Sequence, residues 1–183
     1  MTTTKPPDVL GVGTWTILPD QSPVSFSVRN FMVGKVQGQF ERFTGAIEIG
    51  PNSMPLATAR IDIRSVTTGN DKRDEHLQAP GFFDSEHHPE ALFASASILP
   101  VRGGYLLNGD LTIKGMSKPV SLHLQYNGVG PDPRYRQVSR FTASITLDRK
   151  EFGVDYRLPL GLGDFIIGPT VTVGLDIVAA KNI

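Results

Sequence analysis

Apolar residues fall on every second position through stretch after stretch of this chain, and a period of two confines those stretches to strands with one dry and one wet face. Val24, Phe26 and Val28 face away from Ser25, Ser27 and Arg29. Ala57, Ala59, Ile61 and Ile63 oppose Thr58, Arg60, Asp62 and Arg64, and the strand they define reads from Thr58 to Ser65. Tyr105, Leu107, Leu111 and Ile113 oppose Leu106, Asn108, Asp110 and Thr112. The same holds for Leu122, Leu124 and Tyr126, for Phe141, Ala143, Ile145 and Leu147, and for Val171, Val173, Leu175 and Ile177.

Alternation of this kind belongs to antiparallel strands with one face in water; parallel strands are covered on both faces and read as continuous apolar runs. With about eight such strands and no amphipathic helices to cover them, the dry faces must pack on one another, as a sandwich or as a closed barrel that leaves no free edge. Between Val33 and Gly50 the apolar parity changes from Val36 and Phe40 to Phe43, Ile47 and Ile49, which predicts a bulge or sharp bend near Glu41-Arg42. Gly34, Gly38 and Gly45 fit a bend or a close backbone approach there.

One segment, Ser65 to Ser95, breaks the strand pattern. Gly69-Asn70-Asp71 supplies a turn and a helix start, with Asn70 at the N-cap and Asp71, Asp74 and Glu75 near the positive end of the helix dipole. Pro80-Gly81 ends the helix after about two turns. Phe82 and Phe83 follow at once and require an apolar site. From Ala91 the strand pattern resumes through Phe93, Ser95 and Ser97.

A chain of 183 residues is within the range of one all-β domain. It reads as a flexible tail over 1–12 and a single barrel domain over 13–183. Eighteen basic and eighteen acidic residues cancel, so the charge that a nucleic-acid or anionic-membrane binder requires is missing. There is no cysteine, which removes disulfides and thiolate chemistry. Met1 to Val12 has no apolar run of signal-peptide length and no later segment approaches a membrane span, so a cytoplasmic protein without stable membrane insertion is expected.

The insertion resembles the signature of the YceI-like family of lipocalin-like isoprenoid-binding proteins. Ser65-Val66-Thr67-Thr68-Gly69-Asn70, Arg73-Asp74, His76-Leu77 and Phe82-Phe83-Asp84 stand in that family's order and spacing, followed by Pro89 and Phe93. Gly109 to Val120 resembles its strand, turn and strand motif, and Arg149 to Val154 its late turn. The likeness runs from about Gly13 to Ile177. It departs where members commonly carry a His-Ser pair and a second His, since Gln21-Ser22 and Asn30 stand there. A chemical role for those histidines does not transfer.

The resemblance implies an all-β fold: an antiparallel, lipocalin-like, eight-stranded β-barrel with one short helical insertion. On pattern alone, a barrel filled by its own side chains and one with a cavity both remain open. The resemblance favours a cavity for a long isoprenoid chain, the only cofactor-like ligand expected. Its expected lining comprises Phe26, Val28 and Phe40; Ile61 and Ile63; Phe82, Phe83 and Phe93; Leu111, Ile113, Leu122 and Leu124; Phe141, Ile145 and Phe152; Phe165 and Ile166; and Val173 and Leu175. Small inward residues (Ala57, Ala59, Ala143, Gly38) leave space among them. Affinity should rise by roughly 3 to 4 kcal/mol gross per isoprene unit until the tail outgrows the cavity, with weak head-group selectivity. The Gly-rich apolar stretch Leu158 to Gly168 is expected either to plug the barrel end or, with Phe82-Phe83, to cover its mouth. Family members also form homodimers, which on outward faces this polar would use loops, edges or one modest patch.

Catalytic readings are weaker. No G-x-S-x-G or S-x-x-K pattern occurs, and the adjacent His87 and His88 point apart on an extended chain, which suits solvation better than chelation. His123 takes an outward position. Arg73 and Asp74 are expected to form a fixed pairing that holds the insertion on the barrel. An enzyme of isoprenoid or quinone metabolism using the same pocket, and a stress-related structural protein with a filled barrel, are the alternatives to a non-enzymatic carrier or store of a quinone or prenyl phosphate.

Overall fold

The alternating runs form strands in the computed structural model, which describes residues 10–30, 34–51, 54–155 and 167–182. They are β1 (Gly13–Ile17), β2 (Val24–Asn30), β3 (Gly34–Phe40), β4 (Phe43–Ile49), β5 (Leu56–Asp62), β6 (Val66–Thr67), β7 (Glu90–Val101), β8 (Gly104–Ile113), β9 (Met116–Gly130), β10 (Val138–Asp148) and β11 (Ile167–Lys181). Among the described residues there is one α-helix, α1 (Asp71–Gln78). None of them forms a helix long and apolar enough to cross a membrane.

Eight strands, in the order β1-β4-β5-β7-β8-β9-β10-β11, close into an antiparallel barrel because β1 also pairs with β11. Beyond β11 the sheet continues through β2 and β3 to β6. The two routes share β11: its Ile167–Leu175 part pairs with β2, and its Ala179–Lys181 part with β1. The expected bend at Glu41-Arg42 is where β3 becomes β4, and it exchanges partners there. β3 pairs with β2 and β6, whereas β4 pairs with β1 and β5. Buried Ser65 holds this corner: the Arg42 N–H donates to its Oγ at 3.0 Å, and the Glu41 N–H donates to its carbonyl at 3.2 Å.

Some sequence expectations change. The strand expected over Thr58 to Ser65 stops at Asp62, whose side chain accepts from the Arg64 N–H and turns Ile63–Ser65 into one 3-10 turn. In β7 a register shift between Ser95 and Ser97 flips the parity, so Ser97 points outward and Ile98 is buried. Leu10, within the segment read as a tail, is buried in the same cluster as Trp15 and Ile49. Gly38 does not leave space, because an added Cβ would strike the Phe26 ring and stand 2.9 Å from the Thr67 carbonyl oxygen.

Side chains fill the barrel unevenly. Trp15, Ile49, Tyr105, Phe141 and Ala179 form a dense cluster towards the β1 end, and Phe82, Phe152 and Val154 form a separate one below α1. Both clusters contribute to the lining of the cavity, through Leu122, Leu124 and Ala143 of the first and all three residues of the second.

Candidate functional site

The insertion supplies one end of the site. Asn70 caps α1 by accepting from the Arg73 N–H at 3.0 Å, a contact worth about 1 kcal/mol. Arg73 and Asp74 hold the helix to the barrel, but through a shared partner. Asp74 Oδ1 accepts from the Thr68 N–H at 2.9 Å and from its hydroxyl at 2.5 Å, while Arg73 donates to Thr68 Oγ1 at 2.7 Å and to its carbonyl at 3.0 Å. Thr68 directly follows β6, so the helix start is tied to the sheet.

After the helix the chain folds back on its own last carbonyls. The N–H groups of Phe83 and Ser85 donate to Leu77 and Gln78, and those of Phe82 and Asp84 both donate to Ala79. These bonds satisfy groups that a helix end leaves open. They also aim two rings. Phe82 is buried with Phe152 and Val154, and Phe83 meets the ring of Phe40 on β3 edge-on, with centroids 6.0 Å apart.

A second turn closes the same end. Asp148 caps the 3-10 turn Arg149–Phe152, Gly153 leaves it with φ +68°, and Phe152 is buried to 1 %. Arg149 is mostly enclosed, yet its charge is directed at backbone: it donates to the carbonyls of Gly168 (3.0 Å), Val154 (2.6 Å) and Ile167 (3.0 Å), with Asp155 at 3.7 Å. Lys114, in the two-residue turn between β8 and β9, donates to Pro80 and Gly153 and so joins that turn to the insertion.

Inside the barrel, beneath these closures, lies an apolar cavity of about 250 Å³. Of the residues expected to line it, Phe26, Val28 and Phe40 do so from β2 and β3, and Ile61, Ile63 and Phe93 from β5 and its neighbours. Leu111, Ile113, Leu122 and Leu124 line it from β8 and β9, Ile145 from β10, and Val173 and Leu175 from β11. Phe82, Phe83 and Phe152 cover its end. Phe141 is a correction: it faces inward but lies beyond the cavity, packed at 5.2 Å against Tyr126 in the dense cluster. Phe165 and Ile166, with most of the Leu158 to Gly168 stretch, lie outside the described residues.

Other lining residues escaped the sequence reading. Leu77 reaches the cavity from a helix whose other residues are charged or polar, and Val154 follows the turn glycine. Leu107, Val120 and Leu147 were legible by parity alone. Where this chain departs from the family pattern, Gln21 donates to Asp132 at 2.9 Å, and beside it the retained Ser22 is buried and accepts from the Val178 N–H at 2.9 Å. His123 is exposed, and His87 is bonded to Asp84 at the surface.

A family model described as a YceI-like domain matches residues 15–179. A UPF0312 protein of Staphylococcus aureus (strain bovine RF122) is 32% identical over 153 residues, 82% of this chain and 87% of its own length. A second, from S. aureus strain USA300, is 31% identical over the same coverage. The fold is similar to that of BcnA from Burkholderia cenocepacia, with TM-score 0.75 and 24% identity, covering 90% of this chain and 99% of that one. It is also similar to a polyisoprenoid binding domain from Saccharophagus degradans implicated in plant cell wall breakdown, with TM-score 0.65 and 15% identity over 94% and 100% of the two chains.

Proposed function

Because the chain belongs to the YceI-like domain family, we propose that it binds the hydrocarbon tail of an isoprenoid lipid in its barrel and acts as a non-enzymatic carrier or store. The observation that carries this reading is the apolar cavity of about 250 Å³ inside a closed barrel. A protein that needed only a filled core would not keep such a void, since interiors otherwise pack to crystal density. The polyisoprenoid-binding structural neighbour supports the choice of ligand class.

Binding without chemistry is the better reading because the two enclosed polar side chains at the lining, Ser22 and Arg149, are already engaged, while Thr58 and Asp176 are exposed on the outward face of their strands. Ser22 is bonded to the Val178 backbone, and Arg149 spends its donors on three carbonyls. What remains is burial of hydrocarbon, which stabilises a complex by about 0.8 kcal/mol for each methylene-sized group before association costs. A quinone or prenyl phosphate head group would then sit outside the apolar region. Any homodimer would use the outward face of β7, where Leu92, Leu99 and Val101 are more than a third exposed.

Organic extraction of freshly purified protein followed by mass spectrometry tests the proposal. A prenyl lipid should co-purify at near-stoichiometric amounts. Protein that is empty, and that takes up neither prenyl alcohols nor prenyl quinones, would rule the reading out.

A further inference from the structure

The barrel wall is not closed to the same height all round. β8 pairs with β9 from Tyr105–Leu124 up to Ile113–Met116, and β10 pairs with β11 along its whole length, from Val138 to Asp148. Between β9 and β10 the ladder runs from the Val138–Gly130 pair to the Ser144–His123 pair and ends there. Ile145 to Asp148 therefore pair with β11 alone, and Met116 to Leu122 with β8 alone. Were the register to continue, Ile145 would face Leu122 and Leu147 would face Val120, and all four side chains line the cavity. A seam thus runs up the wall beside the apolar space, with Ser121 and Thr146 exposed on its outer side.

At its top the seam is spanned by a turn in place of a ladder. Pro119, which would face Asp148, has no N–H to give, and the Asp148 side chain accepts from the Lys150 N–H and starts the 3-10 turn Arg149–Phe152. That turn leads across to the start of β9. A Cβ added at Gly153 would stand 3.2 Å from Met116 Sδ, and Lys114 donates to the Gly153 carbonyl at 3.1 Å and to that of Pro80 at 2.9 Å. Buried Phe152 belongs with Phe82 and Val154 to the cluster on which Val120 and Leu147 pack. Facing strand edges that do not pair leave backbone groups to water, so a wall with only a structural task would carry the ladder on.

We infer that the seam between β9 and β10 is the port through which an apolar chain crosses the barrel wall, with Phe152 as its gate and Lys114 as the latch. That the chain is a prenyl lipid rests on the isoprenoid reading above; the port itself rests on the broken ladder. Passage at the seam breaks no strand pairing, whereas passage between β8 and β9 or between β10 and β11 would cost backbone hydrogen bonds. It requires Phe152 to withdraw, and the Lys114 bond to Gly153 opposes that movement. Through its bond to Pro80 the same cation holds the insertion, so both covers of this end answer to one side chain.

The chain has no cysteine, so the seam can be locked by a disulfide after folding. Ser121→Cys with Thr146→Cys places a pair across the seam, and Gln125→Cys with Thr142→Cys, on the same two strands where they already pair, is the control. Stopped-flow fluorescence follows entry of the apolar dye N-phenyl-1-naphthylamine and its displacement by geranylgeraniol. Oxidation of the seam pair should slow both by about tenfold or more and reduction should restore them, with dissociation constants within about twofold and the oxidised control exchanging as the parent does. Lys114→Met should speed entry and release alike, by about threefold or more. An oxidised seam pair that exchanges at the parent rate, or a control slowed as much, would overturn the port. Should the seam cysteines fail to join, Lys114→Met decides, and parent rates there overturn it. Dye that obeys the seam while geranylgeraniol never binds would uphold the port and overturn the isoprenoid reading; binding of neither would overturn both.

Discussion

Phe83 of the insertion meets Phe40 of β3 edge to face at 6.0 Å, and Phe40 in turn lies 5.6 Å from Phe26 on β2. The three rings form a continuous track from the charged helix to the cavity wall. The Phe83 N–H, donated to Leu77 at 3.1 Å, fixes where that track begins. Edge-to-face pairs contribute about 0.5 to 1.5 kcal/mol beyond the area they bury. Phe83→Ala should therefore lower stability by only about 1 to 2 kcal/mol, since the ring is half-buried, yet weaken binding of a prenyl alcohol by about tenfold. Urea unfolding and ligand titration of one preparation separate the two effects; unchanged affinity would remove Phe83 from the site.

Arg73→Ala should cost about 1 to 2 kcal/mol, because two donors to Thr68 disappear from a partly buried position. Thr68→Val should cost a similar amount, and the double variant should lose clearly less than the sum, as expected for residues that share one network. A full additive loss in chemical denaturation would show that Arg73 acts elsewhere.

Gly38→Ala should destabilise by about 1 to 3 kcal/mol, since the new methyl group meets the Phe26 ring and the Thr67 carbonyl. Phe26→Leu in the same chain should recover part of the loss by removing the ring. Thermal melts of the parent and the three variants form the cycle, and a Gly38→Ala protein as stable as the parent would contradict the close approach.

The hydrogen bond between His87 and Asp84 holds the Asp84 carboxyl below its ordinary value of 3.8 and raises His87 above its ordinary 6.5. Burial opposes both shifts, while Lys114 and His88 assist the first and Glu86 the second. The His87 contribution to stability is complete below pH 6.5 and is lost as pH rises through its raised pKa. That of Asp84 is present above pH 3.8 and is lost as pH falls through its lowered pKa. Proton NMR should find the His87 midpoint above 6.5, and Asp84→Asn should bring it down. Asn is the apt replacement because Asp84 has φ +51°, which Asn tolerates. A midpoint indifferent to the substitution would exclude the contact in solution.

The facing of most strands is legible in the sequence because a period of two maps directly onto inside and outside. Depth along the barrel is not. Phe141 and Ile145 have the same parity, but only the folded barrel shows that Ile145 lines the cavity and that Phe141 instead packs against Tyr126. The flip after Ser95 leaves no mark either, since Ser-Ala-Ser holds neither a glycine nor a change of polarity at the bulge. Gly38 misleads for another reason: a missing side chain reads as free volume, although the neighbouring strand has filled it with Phe26. Leu77 is hidden by its surroundings, being a lone large apolar residue on a charged helix. The insertion itself was readable because capping, helix stop and aromatic pair follow one another within a few positions.

The β1–β11 seam has a consequence for how this chain is made. Trp15 pairs with Lys181, and next to them the Thr16 hydroxyl donates to the Asn182 side chain at 2.7 Å across 166 positions. Contacts that distant in sequence form slowly, and on a ribosome they cannot form until β11 has emerged. Until β11 emerges the barrel therefore cannot close, and the inward apolar side chains of the earlier strands lack their final cover. That interval is when it is most exposed to aggregation and most in need of a chaperone.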